Sequence, residues 1–340
     1  MSAAPPLRWG VLGTAGINSR VVPAIARSDY CEVVAIASRN LGRAQDAASH
    51  LEIPTAFGSY DELLAAPDID VVYISLPNFL HLDWVLAAAS AGKHVLCEKP
   101  LAITAHDALV MVGAARNSGV VLAEAFMYGH HPRYDRLHEV VRSGEIGEVR
   151  GISGTFTFDA SDEPDITAFA GHPGGGAVYD VGCYVMHATR QLLGTEPLAV
   201  TAHAQISQEF GDIDMMTSAL VEFPDNVSLL LQCGMWTADE DTLRILGSRG
   251  RIEVPSAFFC ASGNEGFTVY VNDERRYESG QTLDHYTLQA DRLARAALFG
   301  SPLRYSEQDP VLGAAALEAC VRSLRSQERT LIAPLRGELR

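Results

Sequence analysis

Apolar positions in the first third of the chain gather into short runs: Arg8–Leu12, Val33–Ala37, Val71–Ser75, His94–Cys97 and Val120–Ala123. Each is apolar at successive positions and carries Val or Ile, the pattern of a strand buried on both faces of a parallel sheet. Between the runs, apolar residues recur at helical spacing near Ile17–Arg27, Gly42–Leu51, His81–Ala91 and Ala105–Asn117. Gly92 and Gly119 stand just past two of these segments, where a glycine closes a helix. The alternation predicts an α/β domain with a doubly wound parallel sheet over residues 1–123.

The pattern changes after about residue 124. A helix near Arg133–Ser143 precedes strand-like stretches at Glu148–Phe158, Val200–Ile206, Thr217–Phe223, Val227–Met235, Asp241–Leu246, Arg251–Val254 and Phe267–Asn272. Turn residues separate them, among them Pro224-Asp225-Asn226 and Ser248-Arg249-Gly250. Helical patterns near Leu283–Phe299 and Asp309–Gln327 close the chain. Strands following an α/β unit predict a second, α+β domain over 124–308, built on a large open, mostly antiparallel sheet. The helix near 309–327 is free to pack back on the first domain. A chain of 340 residues is long enough for two cores, and a small-molecule site is expected at the seam between them.

Composition narrows the function classes. Apolar content of 47% with 20% charged residues belongs to a globular protein. No apolar run reaches the ~18 residues of a membrane span, and MSAAPPLRWG lacks the basic start and apolar stretch of a signal peptide. The six cysteines stand singly without a C-x-x-C pair, which fits reduced thiols in a cytoplasmic protein and gives no metal site. A net charge of −16 disfavours nucleic acid as a partner.

Gly10-Val11-Leu12-Gly13-Thr14-Ala15-Gly16-Ile17-Asn18 leads from the first strand into the first helix. Free N–H groups at a helix start can hold a pyrophosphate there, with Gly13 to Ile17 as the cradle. The match to G-x-G-x-x-G is imperfect, because Ala15 and Asn18 replace its second and third glycines. The second strand ends Ala37-Ser38-Arg39-Asn40. A carboxylate at such an end bonds the ribose of NAD; Ser38 and Arg39 suit the 2′-phosphate of NADP, so NADP(H) is favoured and NAD(H) stays possible.

The fourth strand runs into AGKHVLCEKPLA, residues 91 to 102, preceded by VYISLPNFLH at 72 to 81. These segments, with EAFMYGHHPR at 124 to 133 and GGGAVYDVGCYVMH at 174 to 187, closely resemble the glucose–fructose oxidoreductase / inositol dehydrogenase / MocA (Gfo/Idh/MocA) family. The resemblance spans nearly the whole chain. It is greatest to the branch holding NADP-dependent D-xylose dehydrogenases and dimeric dihydrodiol dehydrogenases. It implies an N-terminal Rossmann domain and a role for each matching position. Lys99 would reach the reacting hydroxyl or carbonyl across a commonly cis bond to Pro100. Glu98 would lie along the nicotinamide, and Leu76, Pro77, Asn78 and His81 would line the dinucleotide. Asp180 and Tyr184 would be the polar pair of the substrate domain, joined by His187 and Phe158 as substrate contacts. A homodimer or homotetramer built through the open sheet is implied as well.

Elementary chemistry supports the same residues. Asp180, Tyr184 and His187 share one face of a regular helix opened by Gly174-Gly175-Gly176. Hydride transfer from an alcohol needs a base for the hydroxyl proton and gains from a cation beside the developing alkoxide. Lys99 supplies the cation; Tyr184, with an ordinary pKa of ~10, becomes a usable base beside an ammonium. Each residue alone has a plainer reading: a solvated lysine, a helix cap, a core aromatic. Their joint occurrence in family order is what points to an active site. His130-His131 is not a metal pair, since adjacent histidines do not share a helix face.

Two positions depart from the family pattern: relatives often carry arginine where Gly129 stands and near Thr167. The irregular stretch Asp159–Pro173 is expected to border the substrate pocket. The chain is read as an NADP-dependent dehydrogenase or reductase of a sugar, cyclic polyol or diol. A nucleotide-sugar ketoreductase and a non-catalytic NAD(P) sensor are the alternatives.

Overall fold

The computed structural model describes residues 5–160, 172–260, 265–272 and 274–333. The chain divides into two compact units: residues 1–102, 106–130 and 284–311 form the first, and 103–105, 131–283 and 312–340 the second.

The first unit is a six-stranded parallel sheet of order β3-β2-β1-β4-β5-β6. Its strands are β1 (Leu7–Leu12), β2 (Cys31–Ala37), β3 (Thr55–Phe57), β4 (Val71–Ile74), β5 (His94–Cys97) and β6 (Leu122–Glu124). The order reverses between β1 and β4, which opens a crevice at the carboxyl ends of those strands. The helices α1 (Asn18–Ala26), α2 (Leu41–His50), α3 (Tyr60–Ala65), α4 (His81–Ser90) and α5 (Ala105–Ser118) connect them. The expected strands are all present; β3 and α3 are additions.

A second unit carries nine strands in the order β14-β13-β12-β11-β7-β10-β9-β8-β15. They are β7 (Val149–Asp159), β8 (Ala199–Ser207), β9 (Ile213–Glu222), β10 (Ser228–Gly234), β11 (Trp236–Gly247), β12 (Gly250–Pro255), β13 (Phe267–Val271), β14 (Glu274–Glu278) and β15 (Thr330–Leu331). Only the β7–β10 pair among them is parallel. Helix α6 (Pro132–Arg142) precedes β7, and α7 (Cys183–Leu193), entered through a π-wound turn at Val178–Gly182, follows it. Nearly every residue of α7 is buried, and a Cβ on Gly154 of β7 would run into Val185 at about 2.5 Å.

The closing helices differ from expectation. It is α8 (His285–Phe299), not the last helix, that belongs with the dinucleotide-type sheet. Its Ala290, Leu293 and Ala294 join one apolar core with Val21, Val22 and Ile25 of α1 and Trp9, Val11 and Ile36 of the sheet. Residues 312–326 of α9 (Asp309–Ser326) belong to the second unit, where Ser323 Oγ accepts a hydrogen bond from the Ala202 N–H of β8.

Candidate active site

The turn after β1 is shaped by steric necessity. Gly13 has φ +105°, and a Cβ there would meet the Ser75 carbonyl and Leu76 at 2.9 Å. Only glycine allows the turn to lie this close to β4. Above Gly16 a Cβ would find nothing within 4 Å, so the helix start faces open space. Asn18, in the place of the third motif glycine, is buried, and its amide donates to the Gly13 carbonyl at 3.0 Å. The side chain thus closes the turn from within, while the Gly13 N–H donates to the Ala37 carbonyl at 3.0 Å, which leaves Thr14 to Ile17 as the cradle's donors toward an anion. At the end of β2, Ser38 is buried while Arg39 is exposed, with its positive charge near the Tyr60 hydroxyl.

Lys99 sits in the turn that follows β5. The Lys99–Pro100 bond is cis, as the motif implies. Glu98 Oε1 accepts from the buried Tyr73 hydroxyl at 2.6 Å. Leu101 N–H donates to Glu124 Oε1 at 2.7 Å. His81 has no exposed surface, and its ring bridges two turns: Nε2 lies 2.8 Å from the Leu76 carbonyl and Nδ1 3.0 Å from that of Pro100. Burial lowers its pKa against the pull of these carbonyls. The ring therefore braces the lysine turn from behind, whereas Leu76, Pro77 and Asn78 follow the end of β4 beside the crevice.

One residue here escaped the sequence reading. Tyr286 of α8 is largely buried, its hydroxyl has no hydrogen-bond partner among the described residues, and Glu98, Arg20, Lys99 and Asp284 are charged groups around it. An orphaned buried hydroxyl beside this turn is a ready contact for a bound group. No local pattern marks it. With the open cradle, it shows that the residues present fit a dinucleotide.

In the second unit, Asp180 lies in the π-wound turn, and Tyr184 and His187 lie in α7. The stretch from Asp180 to Tyr184 is therefore not one regular α-helix but a π-wound turn leading into α7. Tyr184 and His187 are 4% and 2% exposed, and Asp180 is half-buried. Tyr184 is packed among rings: Phe156 at 5.2 Å, Phe258 at 5.5 Å and Phe259 at 6.2 Å between centroids. Phe158 stands two residues beyond Phe156 on β7 and is half-buried. The Gly129 departure has a steric cause: a Cβ there would collide with the Tyr305 hydroxyl. Thr167 and residues 161–171 of the irregular stretch lie outside the described residues.

Known proteins match this architecture. Residues 7–126 match the family described as "Oxidoreductase family, NAD-binding Rossmann fold", and residues 134–253 the "GFO/IDH/MocA C-terminal domain". The chain belongs to this family of NAD(P)-dependent oxidoreductases. The D-xylose 1-dehydrogenase (NADP(+)) 2 of Haloferax volcanii is 38% identical over 307 residues, covering 90% of this chain and 93% of that one. A trans-1,2-dihydrobenzene-1,2-diol dehydrogenase of Xenopus laevis is 34% identical over 252 residues, 73% and 75% of the two chains. The crystal structure of a 3-ketoreductase from Actinomadura kijaniata with NADP and TDP-benzene superposes with a TM-score of 0.88 at 30% identity, covering 97% of this chain and 100% of that one.

Proposed function

We propose that this chain is an NADP-dependent dehydrogenase or reductase of a ring CH–OH group in a sugar, cyclic polyol or diol. The observation that carries the reading is the fixed lysine turn. His81 and Glu124 tie its main chain, Tyr73 ties Glu98, and it stands at the carboxyl end of β5, next to the crevice strand β4. A turn held this firmly positions Lys99 for one geometry. Lys99 polarises the reacting oxygen, Tyr184 exchanges its proton, and Asp180 orients substrate or Lys99, with His187 and Phe158 as further substrate contacts. The nicotinamide, when bound, supplies or accepts the hydride. Gly13 to Ile17 hold its pyrophosphate, Ser38 and Arg39 the 2′-phosphate, and Leu76, Pro77, Asn78 and Glu98 line the remainder. Assays of NADPH oxidation and NADP+ reduction across sugars, polyols and diols test the reading. Tight cofactor binding with no turnover of any of them would overturn it in favour of a sensor.

The superposition on the 3-ketoreductase favours a second reading, reduction of a keto group on a nucleotide-linked sugar by the same residues. NADPH oxidation driven by a TDP-linked keto sugar, but not by free sugars, would select it.

The cofactor preference has its own test. A charge-assisted bond to phosphate contributes about 1.5–3 kcal/mol, so Arg39→Ala is expected to raise KM for NADP+ by roughly 10- to 100-fold while KM for NAD+ changes little. Equal changes for both cofactors would remove Arg39 from the phosphate site.

Assembly through the open face of the nine-stranded sheet is proposed too. Leu220 and Leu230 face each other across β9 and β10 at 43% and 58% exposure, and Thr201, Ser153, Arg244 and Glu253 continue the same face through the strand register. The apolar pair at its centre fits a homodimer or homotetramer contact. Leu230→Arg is expected to yield monomers in analytical ultracentrifugation; an unchanged mass would exclude this face. Six free cysteines, five of them buried, agree with a reducing, cytoplasmic setting. No helix among the described residues is long and apolar enough to cross a membrane.

A further inference from the structure

The five-residue turn Pro255–Phe259 is held by more polar groups than a surface turn requires. Buried Arg133 of α6 donates to the carbonyls of Ser256 and Ala257, both at 2.7 Å. The Tyr134 hydroxyl donates to the same Ala257 carbonyl at 3.0 Å. From β11, the Asp241 carboxylate accepts the N–H of Phe258 at 2.9 Å and that of Phe259 at 2.8 Å, and the Asp241 carbonyl accepts that of Ala257. Ser256 is in the left-handed region at φ +45°. Burying a guanidinium and a carboxylate costs free energy that an apolar turn would not spend. What the arrangement fixes is the placement of two rings. Phe258 is fully buried and stacks on Phe156 at 5.3 Å, while Phe259 remains half-exposed, with its ring 6.2 Å from Tyr184 and 5.7 Å from Phe156.

We propose that Phe259 is a specificity-determining wall of the substrate site at Tyr184, set in place by Asp241 and Arg133 as positioning residues, and that it selects substrates whose ring presents an apolar C–H face. The inference rests on Tyr184 being the proton carrier. A rigid aromatic surface beside a phenolic hydroxyl takes the flat side of a pyranose or carbocycle while the ring hydroxyls stay at the polar edge. An acyclic polyol presents no such face and gains nothing from the wall.

The test compares a cyclic and an acyclic substrate, trans-cyclohexane-1,2-diol or D-xylose against glycerol, in wild type, Phe259→Ala, Phe259→Trp and Asp241→Asn. Loss of one aromatic contact lowers the cyclic-to-acyclic ratio of kcat/KM about tenfold in Phe259→Ala, chiefly through KM. Phe259→Trp keeps the ratio, and Asp241→Asn lowers it while thermal unfolding shows a folded protein. Calorimetric binding of the same compounds to the NADP+ complex of Tyr184→Phe gives the selectivity without proton transfer. Cyclic preference retained there and lost with Phe259→Ala supports the wall even if Tyr184 proves dispensable for turnover. An unchanged ratio in Phe259→Ala, or equal losses for cyclic and acyclic compounds, would overturn it.

Discussion

Lys99→Met should abolish turnover, a fall in kcat of at least about 10³-fold, while the Kd for NADPH stays within a few-fold of wild type. Methionine keeps the length and most of the volume of the lysine stem but removes the charge and all three N–H donors. The surrounding turn is held by the Leu101 N–H donating to Glu124 and the Tyr73 hydroxyl donating to Glu98, with the His81 ring lodged between the Leu76 and Pro100 carbonyls. The substitution therefore removes chemistry and leaves architecture, and an unchanged unfolding temperature is the control. Interactions with a developing alkoxide are realised only in the transition state, so kcat and kcat/KM should fall together. Turnover at a tenth of the wild-type rate would sink the assignment of Lys99.

The dinucleotide unit was legible because its strands are apolar on both faces and two of the helices between them end at a glycine, Gly92 and Gly119. What escaped was short or non-local. β3 has three residues, and α3 six, although Ser59 and Glu62 stand in capping-box spacing and Ser59 does accept the Glu62 N–H. β14, Glu-Arg-Arg-Tyr-Glu, has no buried face to give it a period; its Arg276 instead pairs with Glu145 and Glu278. No local signal could reveal that α8 returns to the first sheet, since its partners lie some 260 residues earlier, as in the bond from Thr287 Oγ1 to the Ala24 carbonyl. The candidate site divides the same way. Lys99, Asp180 and Tyr184 sit in contiguous motifs. Tyr286, Asp241 and the Phe258–Phe259 pair acquire their places only through tertiary packing, and a single Asp in a strand carries no mark of the turn it will hold. The imperfect glycine loop is explained by Asn18, whose amide does by hydrogen bonding what close packing of a glycine does elsewhere.

Asp214→Asn should change how stability depends on pH, and should do so through the helix that carries Tyr184. Asp214 on β9 is 6% exposed; its Oδ2 accepts the Val178 N–H at 2.9 Å and the Thr217 hydroxyl at 2.8 Å, at the entrance to the π-wound turn. A Cβ on Gly176, at φ +103°, would run into this carboxylate. Burial outweighs these bonds and pushes the pKa up to about 6. Between the ordinary carboxylate value near ~4 and this raised one, the folded protein holds a proton that the unfolded chain has released. Stability contributed by this group is therefore full below pH ~4 and declines as pH rises through ~6, a loss on the order of 3 kcal/mol by neutrality. The groups facing it do not offset the decline: burial holds the Cys233 thiol well above its ordinary value, pushes Cys320 up to about 12 and raises the Tyr179 phenol, so all stay protonated across the window. Asparagine cannot ionise, and with its oxygen at the Oδ2 position it still accepts both bonds. Subtracting the two denaturation curves cancels every other titration. The stability of wild type relative to Asp214→Asn should fall between pH 4.5 and 7, and a difference that stays flat would show that Asp214 ionises in the folded protein as it does in water.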